Sequence, residues 1–164
     1  MKVYLAGPIR NGNVYDITWR KQCKIYLKAH KIEAYDPTED MVCHSDKWIY
    51  KTTRQPINEE LMVKKDIDNL KASDILLINW LANDAHLSIG SFAEFGMGMI
   101  LGKVIIVVTT DFRIQHHPFI TQGATLVVDN FDDAEKCILM YKTLHDFKAA
   151  EGTSLISSLF MQTH

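Results

Sequence analysis

Three near-continuous apolar runs constrain this chain most: KVYLAG at 2–7, DILLINWL at 74–81 and KVIIVVTT at 103–110. A strand with one wet face alternates apolar and polar residues. These runs do not, so each needs cover on both faces, as a central strand of a parallel sheet does. Helical patterns separate them. NEELMVKKDIDNLKAS places Leu61, Met62, Ile67 and Leu70 at helical spacing, and GSFAEFGMGMILG reads as a further helix. A segment capped by Asn13 or Asp16 runs to about His30, with Ile17, Cys23, Ile25, Tyr26 and Leu27 as its apolar positions. KIEAYDP is a second strand closed by Asp36-Pro37, and ATLVVDN is a weaker one. FDDAEKCILMYKTLHDFKAA is a closing helix with Asp132 and Asp133 in its first turn. Strand–helix alternation through short turns predicts an α/β fold: a doubly wound, flavodoxin- or Rossmann-like parallel sheet of about five strands with helices on both faces. Residues 38–55 are polar and irregular and read as a loop or lid. The expected organisation is a single domain over 1–150 followed by a C-terminal tail, 151–164, that either frays or docks on a partner.

Composition narrows the function. The 164 residues are 47% hydrophobic, enough for one full core, and the net charge of -2 supplies no basic field for nucleic acid or an anionic membrane. No apolar run approaches the length that crosses a bilayer. Cys23, Cys43 and Cys137 are three, widely spaced and without a CxxC, so they read as reduced thiols. With MKVYLAG leading straight into a strand rather than a signal peptide, the expected location is the cytoplasm.

In doubly wound sheets, ligands bind beyond the carboxyl ends of the strands, where strand order reverses. Gly7 to Arg10, Asn79 to Ile89, and Thr109-Thr110 mark that rim. Glu94 stands beside it, flanked by Phe92, Phe95, Met97 and Met99. One reading is a helix-capping glutamate stabilised by the unpaired N–H groups of a helix N-terminus. The other is a carboxylate kept for chemistry, with Gly90, Gly96 and Gly98 admitting a ligand close to the backbone. Asp66 is a second acid, on the helix entering the central strand. Asp68 reads as solvated and Asp74 as a structural cap of the helix-to-strand turn. GPIRNGN is a glycine-rich turn with one arginine, but neither a Walker loop nor GxGxxG. GMGMILG starts inside a helix and is rejected as a dinucleotide box, so no cofactor is expected. Nor is a metal: the histidines are scattered and no HxxxH or Cys/His ladder occurs. There is no GxSxG elbow, and Cys43 beside His44 makes a thin case for a thiol nucleophile.

Together, VYLAGPIR, the Asp66–Asp74 pair spaced D-x7-D, and SIGSFAEFGMGMILGKVII resemble the nucleoside 2-deoxyribosyltransferase-like superfamily, over Val3 to about Val128. The resemblance implies that Glu94 is the nucleophile attacking the anomeric carbon of a nucleoside or nucleotide. It makes Asp66 the second acid, which protonates the departing base or orients the sugar, and Tyr4 the tyrosine beside the nucleophile. Six residues before that glutamate, transferases of free nucleosides carry an aspartate that binds the 5′-hydroxyl; here the residue is Ser88. Serine there is similar to the nucleoside 5′-monophosphate N-glycosidases, the deoxynucleotide and CMP/hydroxymethyl-CMP hydrolases. An aspartate would repel a phosphate dianion, whereas a hydroxyl donates to it.

The expected function is therefore hydrolysis of the base–sugar bond of a (deoxy)nucleoside 5′-monophosphate. Gly7, Ile9, Arg10, Asn11, Gly12, Ser88, Gly90 and Ser91 are expected around the substrate. Pro8 stands where the deoxynucleotide hydrolases have a serine in this loop. A nucleoside 2-deoxyribosyltransferase and a catalytically silent nucleotide sensor are the alternatives. The resemblance further implies a homodimer with a shared site, to which IQHHPFITQGA (114–124) contributes His117 or Gln115. Trp48, Tyr50 and Trp80 are candidates to stack on the base, with Phe92 and Met62 as pocket walls.

Overall fold

The computed structural model describes residues 1–9, 15–44, 47–81 and 88–161. In chain order the elements are β1 (Lys2–Ala6), α1 (Tyr15–Ala29), β2 (Glu33–Tyr35), β3 (Met41–His44), β4 (Lys47–Tyr50), α2 (Glu59–Lys71) and β5 (Ile75–Asn79). They continue with α3 (Ile89–Ile100), β6 (Val104–Val108), α4 (Phe112–Gln115), α5 (Pro118–Gly123), β7 (Leu126–Val128) and α6 (Phe131–Met161). Five strands form one sheet in the order β2-β1-β5-β6-β7, and every pairing in it is parallel. The doubly wound sheet read from the sequence is thus the fold. Strand order reverses between β1 and β5, which places the crevice of this architecture at Gly7 and Asn79.

The continuous apolar runs are explained by two separate cores, one per sheet face. Val3, Leu5, Ile75, Leu77 and Ile106 pack with Trp19, Cys23 and Leu27 of α1 and Ala134 and Ile138 of α6. On the opposite face Tyr4, Ala6, Leu76, Ile78 and Val107 pack with Leu70 of α2, Phe95 of α3, Ile114 of α4 and Ile120 of α5. Alternate residues of one strand therefore serve different cores, so the one-residue period of burial is complete. Close approach of α3 to the sheet depends on Gly98: a Cβ there would lie 2.7 Å from Leu76 Cδ2 and 3.2 Å from Ile105 Cδ1. That glycine serves packing rather than ligand access.

Two segments that show no periodic pattern in the sequence turn out to be built. Within 38–55, β3 and β4 pair as an antiparallel hairpin in the register Met41↔Tyr50 and Val42↔Ile49. Strands of four residues, each with polar members, carry too short a pattern to be read as such. The 114–124 loop is also helical, in two short pieces. Asp111 caps α4, its side chain accepting from the Arg113 N–H, and His117 caps α5 with Pro118 at its start. Residues 151–161 continue α6 without a break. No helix among the described residues is long and apolar enough to cross a membrane.

Candidate functional site

A cleft of about 280 Å³ opens at the crevice between β1 and β5. Its lining includes Gly7, Ile9, Asp66, Ser88, Gly90, Ser91 and Glu94. Residues far apart in the chain meet there for topological reasons. β1 ends at the cleft and delivers Gly7 and Ile9, α2 crosses above it with Asp66, and α3 begins at its edge. Arg10, Asn11 and Gly12, expected beside them, lie outside the described residues, as do Asn13 and the Asp16 side chain.

Ser88 is the N-cap of α3, its Oγ accepting from the Ser91 N–H at 3.4 Å. Glu94 therefore sits in the second turn and is not the cap. The accepting role of Ser88 leaves its hydroxyl proton available. Ser91, 1% exposed, has an Oγ with no hydrogen-bond partner. A buried hydroxyl left unsatisfied costs about 1–3 kcal/mol, a cost a bound acceptor would remove.

Glu94 is held from below. Tyr4 is fully buried on β1, and its hydroxyl donates to Glu94 Oε1 at 2.7 Å. Burial pushes the Glu94 carboxyl up to about 7; the Tyr4 hydrogen bond opposes that rise, the Asp66 charge adds to it, and the Arg20 guanidinium opposes it. The Tyr4 hydroxyl is in turn driven far above the usual phenol range, by burial first and by the Glu94 and Asp66 charges next. It therefore stays a donor. Asp66 has a phenol of its own: Tyr35 Oη donates to Asp66 Oδ1 at 2.9 Å. Burial raises the Asp66 carboxyl above its ordinary range, opposed by that hydrogen bond and by Lys65. Tyr4 and Tyr35 are register partners on adjacent parallel strands, with ring centroids 5.3 Å apart. One pairing thus sends two phenols to two acids.

Tyr35 and Arg20 are functional-site neighbours that sequence reasoning passed over. Arg20 is fully buried; its Nη2 donates to the Gly7 carbonyl at 2.7 Å and its Nε to the Leu5 carbonyl at 3.3 Å. Asp36 Oδ1 lies 3.8 Å from that Nε, and the guanidinium stacks over the Trp19 ring at 4.7 Å. Arg20 so fixes the end of β1 where the cleft begins. A Cβ on Gly7 would come within 3.0 Å of the Asn79 carbonyl and 3.3 Å of Arg20 Nη2, so only glycine fits. The missed signal was spacing: Arg20 shares the apolar stripe of Cys23 and Leu27, where an arginine needs buried partners.

Several expected contributors stand elsewhere. Thr109 turns inward, its hydroxyl donating to the Trp80 carbonyl at 3.1 Å. Trp80 is a core residue against Phe92 and Phe95, and none of the three lines the cleft. Met62 does line it, and Trp48 lines the neighbouring cavity. Asp68 is exposed beside Lys71, and Asp74 accepts from the Lys2 N–H at 2.7 Å as a structural tie. His117 is exposed, its Nδ1 accepting from the Phe119 N–H, while Gln115 is bonded back to the Thr109 carbonyl at 2.9 Å. Neither reaches the cleft of its own chain. Cys23 and Cys137 are free thiols, and the Cys43 side chain lies outside the described residues. Among the described residues, no three His, Cys, Asp or Glu side chains gather to hold a metal ion.

A family model described as nucleoside 2-deoxyribosyltransferase matches residues 3–140. No curated protein sequence matches the chain. The fold is similar to that of a 2-deoxyribosyltransferase from the psychrotolerant bacterium Bacillus psychrosaccharolyticus. That likeness has a TM-score of 0.61 at 20% identity, over 82% of this chain and 90% of that one. It is also similar to a conserved protein from Enterococcus faecalis V583, with a TM-score of 0.61 at 17% identity, over 82% of this chain and 94% of that one. A third likeness is to the Clostridium botulinum CMP N-glycosidase BcmB, with a TM-score of 0.51 at 14% identity, over 84% of this chain and 98% of that one.

Proposed function

The chain belongs to the nucleoside 2-deoxyribosyltransferase family, and from that premise we propose that it hydrolyses the N-glycosidic bond of (deoxy)nucleoside 5′-monophosphates. Enzymes of this family transfer glycosyl groups or cleave glycosidic bonds of small nucleosides and nucleotides. The observation that carries the finer reading is the end of the cleft at the start of α3. It presents Ser88, Gly90 and Ser91, and the only carboxylates among the described lining residues are Asp66 and Glu94. The Ser91 hydroxyl is buried without a partner there, at the N-terminus of a twelve-residue helix. Hydroxyls and free N–H groups at a helix start suit a phosphate. Arg10, Asn11 and Gly12 are assigned to the same group, where a guanidinium would pair with its charge.

In this reading a Glu94 oxygen attacks C1′ and the C1′–N bond breaks, its electron pair leaving with the base. The base takes a proton as it departs, and Asp66 supplies it or positions the sugar for it. Water then attacks C1′ and gives its proton to Asp66 as the C1′–O bond to Glu94 breaks, which regenerates the Glu94 carboxylate and releases the sugar 5-phosphate. Tyr4 fixes the attacking carboxylate and stabilises its charge by a hydrogen bond that cannot be reversed, since the phenol does not ionise in its surroundings. No cofactor enters any of these steps. The active unit is proposed to be a homodimer. Ile89, Phe92, Ile100, Phe112 and Phe119 expose apolar surface on α3, α4 and α5, which suits cover by a second copy, and in that dimer His117 of the partner subunit is assigned to the phosphate.

The test is chromatography of free base after incubation with dCMP, dTMP, dGMP and the ribonucleotides, beside the matching nucleosides. Base release from 5′-monophosphates and not from nucleosides is expected. Base exchange between nucleosides would make the protein a transferase instead, and tight nucleotide binding without release would make it a sensor.

A further inference from the structure

Beside the acid cleft lies a larger cavity, of about 500 Å³, that the reaction as derived leaves unused. Trp48 of the β3–β4 hairpin, Pro56 and Ile57 of the segment that follows it, and Glu59 at the start of α2 wall it. Ile9, Met41 and Met62 line both cavities, so the two are neighbours. Every lining side chain but one is apolar. The exception is Glu59, the first residue of α2.

The chemistry of a nucleoside 5′-monophosphate says what belongs there. C1′ and C4′ flank the ring oxygen, so base and 5′-phosphate stand on the same face of the sugar but at its two ends. With the phosphate at Ser88 and Ser91 and C1′ at Glu94, the base points away from the start of α3. Ile9, Met41 and Met62 are the lining that the acid cleft shares with the larger cavity. A flat heterocycle suits an apolar slot with one indole. A carboxylate at its wall can only accept hydrogen bonds, so it rewards an amino edge and repels a keto oxygen.

We propose that the cavity between the hairpin and α2 is the base pocket, that Trp48 packs on the heterocycle, and that Glu59 selects bases with an exocyclic amine over uracil- and thymine-type bases. This inference rests on the orientation given by the proposed function, and the following experiment separates the two. Equilibrium binding of dCMP and dUMP is measured by calorimetry on the Glu94→Gln protein, which holds substrate without consuming it. dCMP is expected to bind about tenfold more tightly than dUMP, the scale of one hydrogen bond to a charged group set against a repulsion. Adding Glu59→Gln, whose amide both donates and accepts, is expected to bring the ratio within twofold. Adding Trp48→Ala is expected to weaken both nucleotides by a similar factor, severalfold, and to leave the ratio standing.

Equal binding in the parent, a ratio unmoved by Glu59→Gln, indifference to Trp48→Ala, or no binding of either nucleotide would each overturn the proposal. Selective binding alongside a wild-type protein that releases no base would uphold the pocket and sink the N-glycosidase reading. Base release together with unselective binding would do the reverse.

Discussion

The cleft holds two carboxylate–phenol pairs, Glu94 with Tyr4 and Asp66 with Tyr35, built from the same parts and placed in different surroundings. Tyr4 is fully buried on an inner strand, and the cation that acts on Glu94 is Arg20, buried with it. Tyr35 is only partly buried on the edge strand β2, and its ring is flanked by Lys2 at 5.7 Å and Lys65 at 5.8 Å, the latter also bound to Asp40 at 2.8 Å. The Glu94 pair therefore has its phenol and its cation in the interior and its half-buried carboxylate at the cleft. The Asp66 pair has a half-buried phenol and an exposed lysine as its cation. Similar pairs thus have unequal surroundings, and under the proposed mechanism the more deeply anchored pair holds the attacking atom, where a small displacement from C1′ is costly.

The hardest blow to this contrast comes from Glu94→Gln, expected to lower turnover by at least about 1,000-fold, since the amide cannot form the covalent intermediate. The same change is expected to raise stability. A carboxyl lifted from 4.5 to about 7 binds its proton more tightly in the folded state, so its contribution to stability falls as pH rises between those values. Above pH 7 the full cost is present, on the order of 3 kcal/mol. Thermal denaturation at pH 8 should show Glu94→Gln more stable than the parent, with the gap closing near pH 4. No gap at pH 8 would mean that Glu94 is not the buried acid described. Asp66→Asn is expected to cost about 100-fold in kcat, the range of one general acid, without a comparable gain in stability.

What the sequence revealed and what it hid follow a physical line. The buried runs at 2–7, 74–81 and 103–110 announced the sheet because covering both faces leaves a pattern that needs no partner to recognise. Glu94, Asp66 and Tyr4 were legible through a spaced motif, and the bond between Tyr4 and Glu94 joins residues 90 apart in the chain. Tyr35 was not legible, since its role exists only through the register that sets it beside Tyr4. Arg20 left a trace, a charge inside an apolar stripe, that gains meaning once the Gly7 carbonyl is known to sit above it. The β3–β4 hairpin was hidden because strands of four residues are too short to show a period, and their pairing with each other exists only in the fold.

The contrast sharpens with the smaller changes, Tyr4→Phe and Tyr35→Phe, which remove one hydroxyl each. Loss of the Tyr4 donor takes away the hydrogen bond opposing burial at Glu94. The acidic limb of kcat/KM, expected near pH 7 in the parent because Glu94 must be ionised to attack, should then move upward and kcat/KM at pH 7 should fall about tenfold. Tyr35→Phe removes the corresponding bond from Asp66, but Lys65 continues to favour the ionised carboxylate. A loss of only a fewfold is expected, with the Glu94 limb in place. Carboxyl carbon NMR titrations of both variants read this directly: Tyr4→Phe should raise the Glu94 midpoint, and Tyr35→Phe the Asp66 midpoint, each leaving the other nearly still. Equal displacement of both acids by either variant would show a single coupled cluster rather than two pairs, because the ring contact between Tyr4 and Tyr35 would then be transmitting what the separate hydrogen bonds are argued to confine.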